Sequence, residues 1–99
     1  MKVLMKKVGM NPEVIEINEE LEVYQELVGG WIEVFPFLYD TLCVCNEEGK
    51  ILGLPQNFIF YNDSICGDVF FVSQDGDDFG ELTDEQIEIL MTIFNLTKN

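Results

Sequence analysis

The chain contains no histidine and no arginine. Without imidazole it lacks the usual general base near neutral pH. Without guanidinium it lacks the usual bidentate clamp for phosphate or carboxylate. No segment reaches the ~18 consecutive apolar residues of a membrane span, and the opening MKVLMKKVGM has no apolar core of a secretory signal. Only three cysteines are present, Cys43, Cys45 and Cys66. With no signal peptide, this reads as a cytoplasmic protein with free thiols. Cys43 and Cys45, two apart in a predicted strand, share a face as small packing residues. Zinc is disfavoured: there is neither histidine nor a CxxC pair.

What the chain has in excess is acid. Its 99 residues carry 19 Asp and Glu against five lysines, a net charge of −14. Such a surface repels nucleic acid and anionic lipid alike. It favours solubility, and it steers toward a basic partner. The hydrophobic fraction, 47%, is too high for disorder. One acidic domain over residues 1–99 is therefore expected.

Alternating apolar residues predict an opening hairpin from Lys2–Val8 and Glu13–Ile17, with Asn11-Pro12 as its turn. Asn18 suits a helix N-cap, and Leu21, Tyr24, Leu27 and Val28 recur at helical spacing until Gly29-Gly30, giving a helix over 19–28. Strands are predicted at 31–38, where Pro36 marks an end or an edge, and at 41–45. Asn46 to Gly49 fits a type I turn closing into a bulge at Gly49, so Lys50–Leu54 should return antiparallel to 41–45. Phe58–Tyr61 is a short strand or packed loop. Ile65–Val72 is a strand in which Gly67 marks a bulge or a close backbone approach. Asp77–Leu82 is a short edge strand after the Asp75-Gly76 turn. Thr83 to Gln86 matches a capping box, with Leu82 and Ile87 as its staple, opening a helix over 84–95 whose last residues fray. The order β-β-α-β-β-β-(β)-β-α predicts an α+β fold: a mostly antiparallel sheet of five to six strands and two helices, placed on one face.

Few constellations suggest chemistry. The cysteines sit beside acids that raise a thiol pKa, and no carboxylate pair stands out among so many. No catalytic residue and no cofactor are assigned, and the chain is read as a non-enzyme. Asp75, Asp77 and Asp78 resemble the start of a calcium loop, but Phe79 and Gln86 replace two of its ligands, so a solvated hairpin tip is the simpler reading. Glu19, Glu22 and Glu26 are expected along the outer face of the first helix. With Glu88 they raise the idea of a carboxylate row imitating the phosphates of DNA. Aromatic residues offer a second lead. On the 31–35 strand, Trp31 and Phe35 are out of phase with Ile32 and Val34, so both faces are apolar. Two helices should hardly cover two faces of such a sheet, which points to a homodimer or a partner-binding face. A ligand pocket near Trp31, Phe58 and Tyr61 is the alternative. Against an anionic ligand stands the net charge, unless Lys6, Lys7 and Lys50 cluster.

Several segments occur in an order that resembles a known family: Glu26–Val34 (ELVGGWIEV), Cys45–Lys50 (CNEEGK), Gly53–Asn57 (GLPQN), the opening strand, Ile65–Val72 with Gly67, and Leu82–Gln86 (LTDEQ). The likeness, over nearly the whole chain, is to domain-of-unknown-function family 3846 of phages, plasmids and conjugative elements of Gram-positive bacteria. The family has no established catalytic residues to carry over. The resemblance implies an accessory or anti-defence factor that binds a host protein, for instance a basic nucleic-acid-binding one, or that sequesters a small ligand. The expected contacts are Glu19, Glu22, Glu26 and Glu88, together with Leu54, Gln56 and Asn57 of a loop with no evident scaffold duty.

Overall fold

The computed structural model describes residues 1–96; the expected fraying of the chain end lies outside the described residues. Eight strands and two helices follow in the order β1 (Lys2–Lys6), β2 (Glu13–Glu16), α1 (Leu21–Val28), β3 (Ile32–Pro36), β4 (Thr41–Asn46), β5 (Gln56–Phe60), β6 (Asp63–Cys66), β7 (Val69–Asp75), β8 (Asp78–Gly80) and α2 (Asp84–Leu96). The fold is α+β. The main sheet is antiparallel, ordered β2-β1-β7-β4-β3, with β8 also paired to β7; β5 and β6 form a separate hairpin.

The central strand β7 explains the layers. Phe71 packs with Leu4, Cys43, Cys45, Leu90 and Phe94 on one face of the sheet. Its neighbours Phe70 and Val72 pack with Val3, Met5, Val44 and Val28 on the other. Successive strand residues point to opposite faces, so α2 and α1 lie on opposite sides, contrary to the expectation of helices on one face. Two helices do not suffice alone. The β5–β6 hairpin lies beside α2 and adds Phe58, Phe60 and Ile65 to its layer. Both faces of the central strands are thereby covered within one chain, while Trp31 and Val34 at the β3 edge remain exposed.

Local chemistry accounts for the boundaries. The first helix begins two residues later than the sequence suggests. Glu20 occupies the N-cap without a side-chain hydrogen bond, and Asn18 contributes only its carbonyl, which accepts from the Glu20 N–H at 2.9 Å. Gly29, in the left-handed conformation, closes the helix by donating to the Gln25 carbonyl at 2.8 Å. The second helix opens on the expected capping box: Gln86 N–H donates to Thr83 Oγ1 at 3.1 Å and Thr83 N–H to Gln86 Oε1 at 3.0 Å. The Gln86 amide also donates to the carbonyls of Tyr39 and Asp40, at 3.1 and 3.3 Å, and ties α2 to the β3–β4 turn.

Two expectations fail. Lys50–Leu54 forms no strand beside β4; Lys50–Gly53 is a run of turns in which the Leu52 N–H donates to the Glu48 carbonyl at 2.8 Å. The place beside β4 belongs to β7, whose buried residues Phe70 to Val72 cover far more apolar area than Ile51 and Leu52 would. Gly49 is also no left-handed bulge residue. It is needed because a Cβ there would lie 2.6 Å from the Cys66 carbonyl oxygen. The 65–72 strand is split at Gly67 (φ 90) into β6 and β7, which belong to different sheets.

Candidate functional site

The register of β3 on β4 pairs Ile32 with Asn46, Val34 with Val44 and Pro36 with Leu42. At either end of this ladder, the Glu47 N–H donates to the Trp31 carbonyl and the Phe37 N–H to the Thr41 carbonyl, both at 2.8 Å. Hydrogen-bonded positions alternate in an antiparallel pair. Residues 31, 33, 35 and 37 therefore face β4, while the backbone polar groups of Ile32, Val34 and Pro36 face outward. Among the described residues no strand pairs with that side of β3. Pro36 occupies an outward position, where a missing N–H costs the ladder nothing.

Under this edge lies a cleft of about 590 Å³ between β3, the Asn46–Ile51 turns and the β5–β6 hairpin. Glu33 and Phe35 reach it from β3, Cys45 from β4, and Phe60, Tyr61, Asp63 and Cys66 from the hairpin. The Phe35 and Phe60 rings, 5.7 Å apart, join its wall to the aromatic core. At its mouth stand two apolar side chains left in water, Tyr61 at 84% and Ile51 at 83% exposure. The Tyr61-Asn62 turn takes positive φ at both positions, 49° and 65°. Asn tolerates this; Tyr is held there at a cost of about 1–2 kcal/mol.

The charges of the cleft are mostly acidic. Lys50 Nζ donates to Asp63, and this hydrogen bond raises the lysine pKa. Glu33 and Glu47 line the same cleft with no ion-pair partner among the described residues. Burial, then the nearby Glu33 and Asp63 carboxylates, push the Cys45 thiol up to about 11. Burial, with Cys45 second, pushes Cys43 up as well. Both thiols thus remain protonated and poorly nucleophilic near neutrality.

Of the three aromatic residues expected around a ligand, only Tyr61 lines this cleft. Phe58 belongs to the core, with its ring centroid 5.3 Å from Phe94 and 5.9 Å from Phe37. Trp31 precedes β3, is 65% exposed and lies outside the lining. Glu33, Ile51 and the Lys50–Asp63 pair were not foreseen. The one available signal was the apolar Ile51-Leu52 pair in a segment that Gly53 breaks and Pro55 stops.

The carboxylates singled out from sequence do not converge. Glu19 precedes α1, Glu22 and Glu26 lie on α1, and Glu88 lies on α2 across the sheet. Asp75 and Asp78 are cross-strand partners in the β7–β8 hairpin, with Asp77 between them. Among the described residues no group of three His, Cys, Asp or Glu is placed to hold a metal ion. The lysines do not gather either: Lys50 lines the cleft, whereas Lys6 lines a separate cavity of about 310 Å³.

The GLPQN loop has a scaffold duty after all. Asn57 is the extra residue of a β-bulge in β5. Its amide donates to the Lys6 and Gly67 carbonyls at 2.8 and 2.9 Å, and its Oδ1 accepts from Lys6 Nζ at 3.0 Å. Burial lowers the Lys6 pKa, and Asp68 opposes the shift. Leu54 sits against Gly67. Gln56 is exposed and accepts from Ser64 Oγ at 2.7 Å.

Among the described residues no helix is long and apolar enough to cross a membrane. No curated protein and no solved structure matches the chain. The model of the family described as Domain of unknown function (DUF3846) matches residues 1–95, and the chain belongs to that family.

Proposed function

We propose that this chain is a non-catalytic binding protein that docks a protein partner at the cleft beneath β3. The observation that carries the reading is the pair of apolar side chains, Tyr61 and Ile51, held in water at the mouth of an aromatic-walled cleft. Among the described aromatic rings, Tyr61 meets only the edge of Phe60, at 4.6 Å between centroids, and its left-handed backbone adds local strain of the kind that collects at binding sites. Protonated thiols and the lack of imidazole favour docking over nucleophilic chemistry. The mobile-element setting implied by the family resemblance makes a host protein the natural class of partner. Nucleic-acid mimicry draws less support, because the candidate carboxylates are divided between two faces.

The test is affinity capture from host lysate with the native chain, Tyr61→Ala and Ile51→Asp. Both side chains are exposed, so the variants should fold. Loss of one captured protein from both variants supports the reading; capture indifferent to both overturns it. A second reading, small-ligand binding, is favoured by the cleft volume, which falls within the range of ligand pockets. A metabolite panel in thermal shift separates the two, since a ligand at 100 times its Kd adds about 2.7 kcal/mol.

A further inference from the structure

The free edge of β3 and the cleft beneath it form one continuous surface. The edge offers the N–H and C=O groups of Ile32 and Val34 and the C=O of Pro36, as the ladder alternation requires. On the cleft side of the same strand stand Glu33 and Phe35, two residues apart. A strand added to this edge would place its own alternate side chains opposite these two. Its cleft-facing positions would meet an unpaired carboxylate at Glu33 and an aromatic wall at Phe35 and Phe60.

We propose that β3 receives an extended basic segment of a partner protein as an additional strand, with a Lys or Arg of the guest opposite Glu33 and an apolar side chain, two residues away, opposite Phe35. This rests on the docking reading above and adds the chemistry and conformation of the occupant. Charge selects the guest. Among the described residues the cleft carries Glu33, Glu47 and Asp63 against Lys50, which Asp63 already engages. A second copy of this chain would bring another net −14 to the same edge, so self-pairing is opposed where a basic segment is attracted. The other strands of the main sheet with an unpaired side have no comparable site: β2 is four residues long and begins and ends in Glu, β8 is three residues long, and neither lines this cleft. Backbone hydrogen bonds would supply affinity, and the Glu33 and Phe35 positions would supply selectivity.

The test uses the full chain and a synthetic peptide in which threonines alternate with lysine and phenylalanine, beside a counterpart with glutamate in place of lysine. Fluorescence anisotropy reads binding, and amide hydrogen exchange by NMR reads its location. The lysine peptide should bind at least about tenfold more tightly than its counterpart and weaken about tenfold in ~0.5 M salt. At saturation the Ile32 and Val34 amides should exchange about tenfold or more slowly, with the Val14 and Glu16 amides of β2 unchanged. Glu33→Gln should weaken binding up to about fivefold. Absence of lysine-peptide binding, equal binding of the glutamate peptide, or binding without slowing at Ile32 and Val34 overturns strand addition. So does self-association of the chain that protects the same amides. If Tyr61→Ala and Ile51→Asp still abolish capture while the peptide leaves β3 unprotected, docking stands and strand addition falls; if capture ignores both variants, docking itself falls.

Discussion

Asn57 gives the sharpest test of how this fold is held together. Its side chain joins three segments: β1 through the Lys6 carbonyl and ammonium, the β6–β7 connection through Gly67, and its own β5. Asn57→Ala removes two neutral hydrogen bonds, worth about 1 kcal/mol each, and one from a charged donor, worth about 1.5–3 kcal/mol. It also leaves Lys6, 8% exposed, with the Lys7 carbonyl at 2.9 Å as its remaining hydrogen-bond acceptor among the described residues. Water entering the vacated space would recover part of the loss, so the expected destabilisation is about 3 kcal/mol. Against the 5–15 kcal/mol typical of a domain, that is a large share. With a urea m-value near 1–1.5 kcal/mol/M, the midpoint should fall by about 2–3 M. Gln56→Ala, one residue away but exposed, should move it by less than ~0.5 M. Equal effects of the two substitutions, or a small shift for Asn57→Ala, would refute the clamp and return the motif to the surface role its sequence suggested.

Gly49→Ala should cost about 1–3 kcal/mol, because its Cβ would meet the Cys66 backbone carbonyl at 2.6 Å; thermal melting should fall by at least about 4 °C. The Cys45 thiol, at about 11 when folded against an ordinary 9.0, binds its proton more tightly in the native state, so its stabilising contribution is complete below pH 9 and is lost as pH rises toward 11. Urea midpoints across that range should decline less steeply in Cys45→Ala than in the native chain. Thr83→Ala should destabilise by about 1 kcal/mol through loss of the α2 cap. Tyr61→Gly should melt higher, by up to about 1 kcal/mol of relieved backbone strain, while losing the captured partner; a lower melting point would show that the exposed ring is structural.

What the sequence disclosed was mostly local. The capping box at Thr83, the Gly29 helix end, the β1–β2 hairpin and the edge role of Pro36 each depend on a few adjacent residues, and all are present in the structure. What it concealed depends on distant contacts. Nothing near Lys50 announces that β7, not Lys50–Leu54, will pair with β4; competition between segments for buried area decides that. Gly49 looked like a bulge residue because its sequence neighbours fit a turn, whereas its constraint comes from Cys66. The GLPQN motif looked like a binding loop for the same reason: the partners of Asn57 lie 51 and 10 residues away. Of the aromatic pocket, only Tyr61 was legible, because separating Phe58 from the cleft required knowing where α2 would place Phe94.

The layering also bears on where a partner can dock. A sheet covered by α1 on one side and by α2 with the β5–β6 hairpin on the other keeps its exposed apolar side chains at its outer strands, Val14 on β2 and Val34 on β3. Docking is then directed to an edge and the seam beside it. The hairpin is joined to the main sheet by side chains, notably Asn57 to Lys6 and Phe60 to Phe35, rather than by a strand ladder, so a seam remains between the two sheets. That seam opens at β3, where among the described residues no strand pairs with the outer backbone groups and where Glu33 and Glu47 keep acid beside an aromatic wall. Unrelieved edges invite aggregation. On the strand-addition proposal, the net charge of −14 opposes pairing with a second copy and favours the approach of a positively charged strand. The acid excess and the open edge are therefore two parts of one arrangement: charge restricts which strands may complete the sheet.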